Sequence, residues 1–208
     1  MLGNHGRSIT RTIFTPLARV LARLGVTPDQ VTITGTIVSI AIAVSTIPFG
    51  HVWQGALGLA VVLFMDSVDG TLARMTTGGT RFGAFLDSTL DRLADGAVFA
   101  SLTAWAVFGL EPGAARAWAI ALGLAAIVGA GAVPYARARA ESVGVEAKVG
   151  IAERTDRLIA GLAGAAFADF GWGDWWLVVG LGWVALGSLI TVVQRIAFTA
   201  RSLRTESR

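Results

Sequence analysis

The chain has 208 residues, of which 54% are hydrophobic and 15% are charged, and it contains no cysteine. This composition excludes an ordinary soluble domain and indicates an integral membrane protein, while the missing cysteines exclude disulfides and thiolate metal sites. The formal net charge of +3 comes from arginines that flank hydrophobic segments, which favours an anionic membrane surface over a nucleic-acid partner.

The first predicted element is an amphipathic helix over residues 12–25 that lies at the membrane interface. Its apolar side chains recur at helical spacing on one face, whereas Arg19 and Arg23 fall on another. Thr27 and Pro28 follow as the N-cap and first residue of the next helix. The chain is therefore expected to enter the membrane just after this point.

Six hydrophobic segments then approach the about 20 residues that cross a bilayer as a helix. They cover residues 31–48, 55–73, 83–108, 117–136, 157–171 and 175–195. The fifth is the weakest, because Asp156, Arg157 and Asp169 border it and its length alone would also fit a re-entrant segment.

Charge favours six crossings, since nearly all the loop and terminal arginines then lie on one side of the membrane. The positive-inside rule makes that side cytoplasmic, so both termini are expected there. The sequence thus predicts an all-α integral membrane protein with one domain over residues 1–208 and a six-helix bundle over residues 31–195.

Four aspartates lie inside the second and third segments, where each costs about 2.5 to 3.5 kcal/mol at the bilayer centre. Asp66 and Asp69 share one helical face, as do Asp87 and Asp91. The two segments form an antiparallel hairpin, so the four carboxylates can converge near its cytoplasmic end. Oxygen ligands without Cys or His fit Mg²⁺ or Mn²⁺ rather than zinc or copper, and two such ions would suit phosphoryl chemistry.

Other residues near this cluster have two interpretations. Gly70, Ala73 and Gly83 either allow close helix packing or leave room for a ligand, and Arg74 is either a membrane anchor or a ligand contact. Asp95, one turn beyond Asp91, is expected to make a structural hydrogen bond. A cation transporter remains a functional alternative, although the aspartates lie to one side of the membrane and no paired helix breaks occur.

The spacing Asp66-x2-Asp69-Gly70-x2-Ala73-Arg74-x8-Gly83-x3-Asp87-x3-Asp91 resembles the signature of the CDP-alcohol phosphatidyltransferase family at every fixed position. This resemblance implies transfer of a phosphatidyl group from CDP-diacylglycerol to an alcohol, with release of CMP, at the cytoplasmic face of the cell membrane. It implies that the four aspartates hold two divalent cations and that Asp91 also takes the acceptor's proton.

The resemblance also implies a binding site for the CDP-lipid. Besides the signature residues, the Pro28–Thr32 stretch is similar to an element that lies near the nucleotide in the family, and Thr80 is expected to join it. The implied CDP-lipid contacts are Asp29, Gln30, Val31, Thr32, Gly70, Ala73, Arg74, Thr80 and Gly83. The family further implies a homodimer among membrane lipids, with which the small residues Gly123, Gly129, Gly131, Gly161 and Gly164 are compatible.

Within the family, GGTRFGAFLD, DRLADGAVF and YARARAE resemble actinobacterial members whose acceptor is an inositol phosphate. Arginine forks bind phosphate oxygens in pairs, so the candidate acceptor contacts are Tyr135, Arg137, Arg139, Arg154 and Arg195. The positive-inside rule would place arginines at such sites in any membrane protein. Glycerol 3-phosphate would need similar residues and therefore stays open as the alternative acceptor.

Overall fold

The structure is a computed structural model that describes residues 15, 16, 18–65, 72, 75 and 79–206. Among these residues all regular secondary structure is helical, which confirms the all-α prediction. The longer helices are α1 (Pro28–Thr46), α2 (Val52–Met65), α3 (Arg81–Phe108), α4 (Ala114–Ser142), α5 (Arg154–Phe167) and α6 (Trp175–Glu206). A 3₁₀ turn (Ile47–Phe49) follows α1, and a π-helical turn (Ala168–Trp172) follows α5.

Three of the described helical segments are long and apolar enough to cross a membrane, namely Pro28–Phe49, Ala114–Ser142 and Trp175–Thr205. The α2 helix is apolar but has only 14 residues up to Met65. The α3 helix is long enough, but it carries three aspartates and Arg92 in addition to the apolar residues. The α5 helix also has only 14 residues, in line with its weak signal in the sequence.

The start of α1 is capped reciprocally by side chains. Thr27 Oγ1 accepts a hydrogen bond from the Gln30 backbone N–H at 3.3 Å, and Gln30 Oε1 accepts one from the Thr27 backbone N–H at 3.0 Å. Pro28 occupies the first helical position, where no N–H is required. This cap confirms the predicted helix start and fixes Asp29 in the first turn.

The described residues divide into two compact units. The first unit lies within residues 1–42 and 57–94, and the second unit within residues 43–56 and 95–208. In the first unit, residues 18–23 are helical, and Ala18 packs against Leu72 with Leu21, Ala22 and Val31 around them. Asp87 and Asp91 belong to the first unit, whereas the candidate acceptor contacts belong to the second.

Glycines let the helices of the second unit approach closely. A Cβ on Gly164 would lie 2.6 Å from the Trp176 carbonyl oxygen, and one on Gly180 would lie 2.6 Å from the Ala160 carbonyl oxygen. A Cβ on Gly129 would similarly lie 2.6 Å from Ser188 Cβ. Gly129 and Gly164, which the sequence offered for contacts between copies, are therefore used within the chain.

Candidate active site

Half of the aspartate signature lies in the part of the chain that the structure describes. Asp87 and Asp91 are four residues apart on α3, so their carboxylates share one face of that helix. The Asp91 side chain keeps 18% of its surface exposed, and its Oδ2 lies 3.7 Å from Arg92 Nη2. Asp66, Asp69, Gly70, Ala73 and Arg74 lie outside the described residues, so the predictions for them stay predictions.

The described aspartate pair suits a hard divalent cation. Two half-buried carboxylates one helical turn apart offer oxygen ligands, and a bound cation would offset the repulsion between their negative charges. Within the described residues there is no group of three or more acidic, histidine or cysteine side chains that could hold a metal alone. The pair therefore fits as half of the predicted ligand set, which Asp66 and Asp69 would complete.

Three of the predicted CDP-lipid contacts come together at the start of α3. Thr80 Oγ1 accepts a hydrogen bond from the Gly83 backbone N–H at 2.9 Å and so caps this helix. A Cβ on Gly83 would lie 3.0 Å from Thr80 Oγ1 and 3.1 Å from Asp29 Oδ1. Because Gly83 has no side chain, Asp29 and Thr80 can both approach its Cα, one turn before Asp87.

The neighbours of Asp29 make structural contacts instead. Gln30 caps α1, and Val31 packs beside Ala18 and Leu72. Thr32 is buried, and its hydroxyl donates a hydrogen bond to the Pro28 carbonyl at 3.2 Å. Within Asp29–Thr32, the structure thus brings Asp29 close to Gly83, and a ligand role for all four residues stays a prediction.

Two of the candidate acceptor contacts, Arg137 and Arg139, lie in the last turns of α4. Arg137 Nε donates to Glu141 Oε1 at 2.9 Å, and Arg139 Nη1 donates to Ser142 Oγ at 3.2 Å. Tyr135 is exposed on the same helix. Arg139 lies in the last turn, where its positive charge also offsets the partial negative charge of the helix C-terminus.

Arg195 is buried and joins three parts of the second unit. From α6, its Nε donates to the Val149 carbonyl at 3.0 Å, and its Nη1 donates to the Val133 carbonyl at 2.6 Å. Only 8% of the residue is exposed. Arg195 therefore fastens the connection between α4 and α5 to both α4 and α6, in addition to any role with a ligand.

Arg154 is held by a buried carboxylate. Its Nε donates to Asp95 Oδ1 at 3.0 Å, and Arg157 Nη2 lies 3.9 Å from Asp95 Oδ2. Arg157 Nη1 also donates to the Ala152 carbonyl at 3.2 Å. The expectation that Asp95 makes a structural hydrogen bond is confirmed.

Thr191 is a positioning candidate that the sequence interpretation missed. Its hydroxyl oxygen accepts hydrogen bonds from the backbone N–H groups of Ile151 and Ala152, each at 3.2 Å. Gly150 packs against it with a φ of +146°, a backbone conformation that favours glycine. A lone threonine in an apolar helix gives no signal of this role, although it lies one turn before Arg195.

The loop between α4 and α5 carries a separate surface charge pair. Lys148 holds the pKa of the Glu146 carboxyl below its usual value, mainly through a hydrogen bond and secondly through its positive charge. Glu146 therefore stays ionised to lower pH than an unpaired glutamate and keeps Lys148 paired at neutral pH. Unlike this exposed pair, Arg157 and Arg195 are buried, and Arg154 is half-buried.

The apolar helices indicate an integral membrane protein, and the Asp87 and Asp91 pair on α3 adds a candidate metal site. The model of the CDP-alcohol phosphatidyltransferase family matches residues 25–190, and the chain belongs to this family. This match confirms the resemblance indicated by the aspartate spacing. The chain therefore belongs to a transferase family and not to a family of cation transporters.

The chain is similar to actinobacterial phosphatidylinositol phosphate synthases. It is 43% identical to that of Mycobacteroides abscessus over 197 residues, covering 94% of this chain and 87% of the relative. It is 37% identical to that of Corynebacterium glutamicum over 202 residues, covering 97% of this chain and 90% of the relative.

A crystal structure of the Mycobacterium tuberculosis phosphatidylinositol phosphate synthase with CDP-DAG bound superposes with a TM-score of 0.83 at 42% identity. The match covers 90% of this chain and 94% of that one. A second structure of the same enzyme, in complex with manganese and citrate, also gives a TM-score of 0.83 at 42% identity. That match covers 90% of this chain and 88% of the other. Manganese in the relative and membership of the family together indicate a divalent-metal enzyme.

Proposed function

We propose that this chain transfers the phosphatidyl group of CDP-diacylglycerol to 1D-myo-inositol 3-phosphate, also named L-myo-inositol 1-phosphate. The products are phosphatidylinositol phosphate and CMP. The observation that carries this proposal is the 37–43% identity to phosphatidylinositol phosphate synthases, which extends over more than nine-tenths of the chain. The half-buried Arg154 and the buried Arg195 of the second unit support an acceptor that bears a phosphate.

In the proposed reaction, a hydroxyl oxygen of the acceptor forms a bond to the lipid-side phosphorus. The bond from that phosphorus to the bridging oxygen of the diphosphate breaks, and CMP leaves with the electron pair. Asp91 takes the hydroxyl proton, for which its partly exposed carboxylate on α3 is suited. Bound divalent cations, two Mg²⁺ or Mn²⁺ held by Asp87, Asp91, Asp66 and Asp69, would neutralise charge on the diphosphate.

The CDP-lipid would bind around the Gly83 cluster, defined as Asp29, Thr80 and Gly83. The absent Cβ of Gly83 leaves the Asp29 carboxylate and the Thr80 hydroxyl accessible to a polar ligand group next to α3. Both groups accept hydrogen bonds, as recognition of amino and hydroxyl groups of a nucleotide requires. Gln30, Val31, Thr32, Gly70, Ala73 and Arg74 are the remaining proposed contacts.

The phosphate of the acceptor would bind to Arg154 and Arg195, assisted by Tyr135, Arg137 and Arg139. The hydrogen bonds to Val133 and Val149 use two of the five N–H donors of Arg195. They also fix the plane of its guanidinium group, which reduces the entropy lost when a phosphate binds. A fixed fork of this kind favours phosphorylated acceptors over neutral polyols.

The proposed topology has six membrane crossings preceded by an interfacial helix over residues 12–25. The six long helices of the described residues overlap the six hydrophobic segments one by one, which supports this count. Both termini and the active site would face the cytoplasm, and the enzyme would form a homodimer. Modification of single introduced cysteines from each side of the membrane tests the topology, because the native chain has no cysteine.

The acceptor is tested by measuring CMP release from CDP-diacylglycerol with purified protein and Mg²⁺. Parallel reactions contain inositol 3-phosphate, unphosphorylated inositol, glycerol 3-phosphate or no acceptor, and Asp91→Asn protein serves as the inactive control. We expect rapid release with inositol 3-phosphate alone. Release with glycerol 3-phosphate alone would replace the proposed acceptor, and equal release without acceptor would indicate hydrolysis.

A further inference from the structure

Arg154 is fixed by two buried groups that have no assigned function. The residue begins α5 and keeps 25% of its side chain exposed. One buried group acts on the side chain directly, and the other acts on the backbone just before the helix. Together they restrict the direction in which Arg154 points.

The direct contact comes from Asp95, whose side chain is only 1% exposed. Its Oδ1 accepts the Nε–H of Arg154 at 3.0 Å, and its Oδ2 lies 3.9 Å from Arg157 Nη2. One carboxylate between two guanidinium groups leaves one positive charge in excess, so the cluster remains cationic. The negative charge of Asp95 weakens the local positive potential and so does not itself attract an anion. Asp95 instead favours anion binding by fixing the orientation of the Arg154 guanidinium group.

The indirect contact comes from Thr191, which is buried on α6. Its hydroxyl oxygen accepts hydrogen bonds from the backbone N–H groups of Ile151 and Ala152, three and two residues before Arg154. Glu153 then caps α5 in a reciprocal box with Asp156, where the Glu153 backbone N–H donates to Asp156 Oδ2 at 3.1 Å. The backbone from Ile151 to Glu153 is therefore anchored at consecutive residues, and Thr191 anchors it from α6.

We propose that Asp95 and Thr191 are positioning residues that orient Arg154 toward the phosphate of the acceptor. This inference rests on the proposed function, in which Arg154 binds that phosphate. It adds two residues outside the aspartate signature to those that determine selectivity for a phosphorylated acceptor. Neither residue touches the reacting atoms.

The test compares Thr191→Val, which removes the hydroxyl but keeps the shape, with Thr191→Ser, which keeps the hydroxyl. Loss of the two hydrogen bonds in Thr191→Val should raise the KM for inositol 3-phosphate by about tenfold, while kcat and the KM for CDP-diacylglycerol change by less than about twofold. Thr191→Ser should restore the acceptor KM. Thr205→Val is the matched control, since that exposed hydroxyl bonds only to the Arg201 carbonyl of its own helix at 3.0 Å.

Asp95→Asn should raise the same KM by about ten- to a hundredfold, because a charge-assisted bond is lost. It also leaves Arg157 beside a neutral group, so the threonine pair provides the test if this variant does not fold. Combining each substitution with Arg154→Gln distinguishes an effect on the orientation of Arg154 from a general loss of stability. In that background, neither Thr191→Val nor Asp95→Asn should raise the acceptor KM further.

Three results would overturn the inference: an unchanged acceptor KM in Thr191→Val, an equal rise in the Arg154→Gln background, or equal effects on both substrates. Each of these requires that the unaltered enzyme uses inositol 3-phosphate. If the unaltered enzyme releases no CMP with that acceptor, the proposed function fails first and the inference fails with it.

Discussion

Replacing Arg195 with Gln removes a buried guanidinium group that joins α4, the loop after it and α6. Two hydrogen bonds are lost, to the Val149 carbonyl at 3.0 Å and to the Val133 carbonyl at 2.6 Å. A hydrogen bond from a charged donor contributes about 1.5 to 3 kcal/mol, so the loss of both should reduce the free energy of unfolding by about 3 to 6 kcal/mol. Such a loss is large beside the about 5 to 15 kcal/mol that stabilises a typical domain.

The assay is thermal unfolding of purified protein in detergent micelles. For a chain of this size, about 1 kcal/mol corresponds to about 2 to 4 °C, so the midpoint of Arg195→Gln should fall by at least about 6 °C. Arg195→Lys keeps the charge but has one nitrogen in place of the fork, so it should retain one bond and fall about half as far. The KM for the phosphorylated acceptor should rise in both variants.

Arg201→Gln provides the matched control, because Arg201 is an exposed arginine further along the same helix. Its midpoint should remain within about 2 °C of the unaltered protein, since surface substitutions change stability by about 0.5 kcal/mol or less. If Arg195→Gln unfolds at the same temperature as Arg201→Gln, the assignment of Arg195 as a structural clamp is wrong. An unchanged acceptor KM would instead remove it from the phosphate site.

Three further predictions concern the first unit. Asp91→Asn should abolish CMP release while CDP-diacylglycerol still binds, as measured by protection from thermal unfolding; retained turnover would exclude Asp91 as the base. Gly83→Ala should raise the KM for CDP-diacylglycerol several-fold, because the new Cβ would lie 3.0 Å from Thr80 Oγ1 and 3.1 Å from Asp29 Oδ1. Gly96→Ala on the same helix, whose new Cβ meets no atom within 4 Å, is the matched control and should leave this KM unchanged. Chelation with EDTA should stop CMP release and added Mg²⁺ or Mn²⁺ should restore it, whereas full activity in EDTA would contradict the metal assignment.

The elements of the fold could be predicted because each depends on a local property of the sequence. Hydrophobic length located the helices, and Thr27 followed by Pro28 located the start of α1. The Asp87 and Asp91 face follows from helical spacing alone. Asp29, Thr80 and Gly83 were grouped by family resemblance, and the structure brings them together.

The supports of the candidate acceptor site could not be predicted, because they join residues far apart in the chain. The bond between Arg195 and Val133 spans 62 residues, and those between Thr191 and the α5 loop span 39 and 40. Nothing in the local pattern distinguishes these contacts from ordinary positive-inside arginines or an apolar helix. The packing of Gly129 and Gly164 within the chain was equally hidden, since a small residue marks a close approach but not its partner.

The central claim is most directly tested by competition between the two phosphorylated acceptors in one reaction. Purified protein is given CDP-diacylglycerol, Mg²⁺ and equal concentrations of inositol 3-phosphate and glycerol 3-phosphate, and the lipid products are identified by mass spectrometry. We expect phosphatidylinositol phosphate as the main lipid product, formed in step with CMP. Phosphatidylglycerophosphate as the main product would contradict the account.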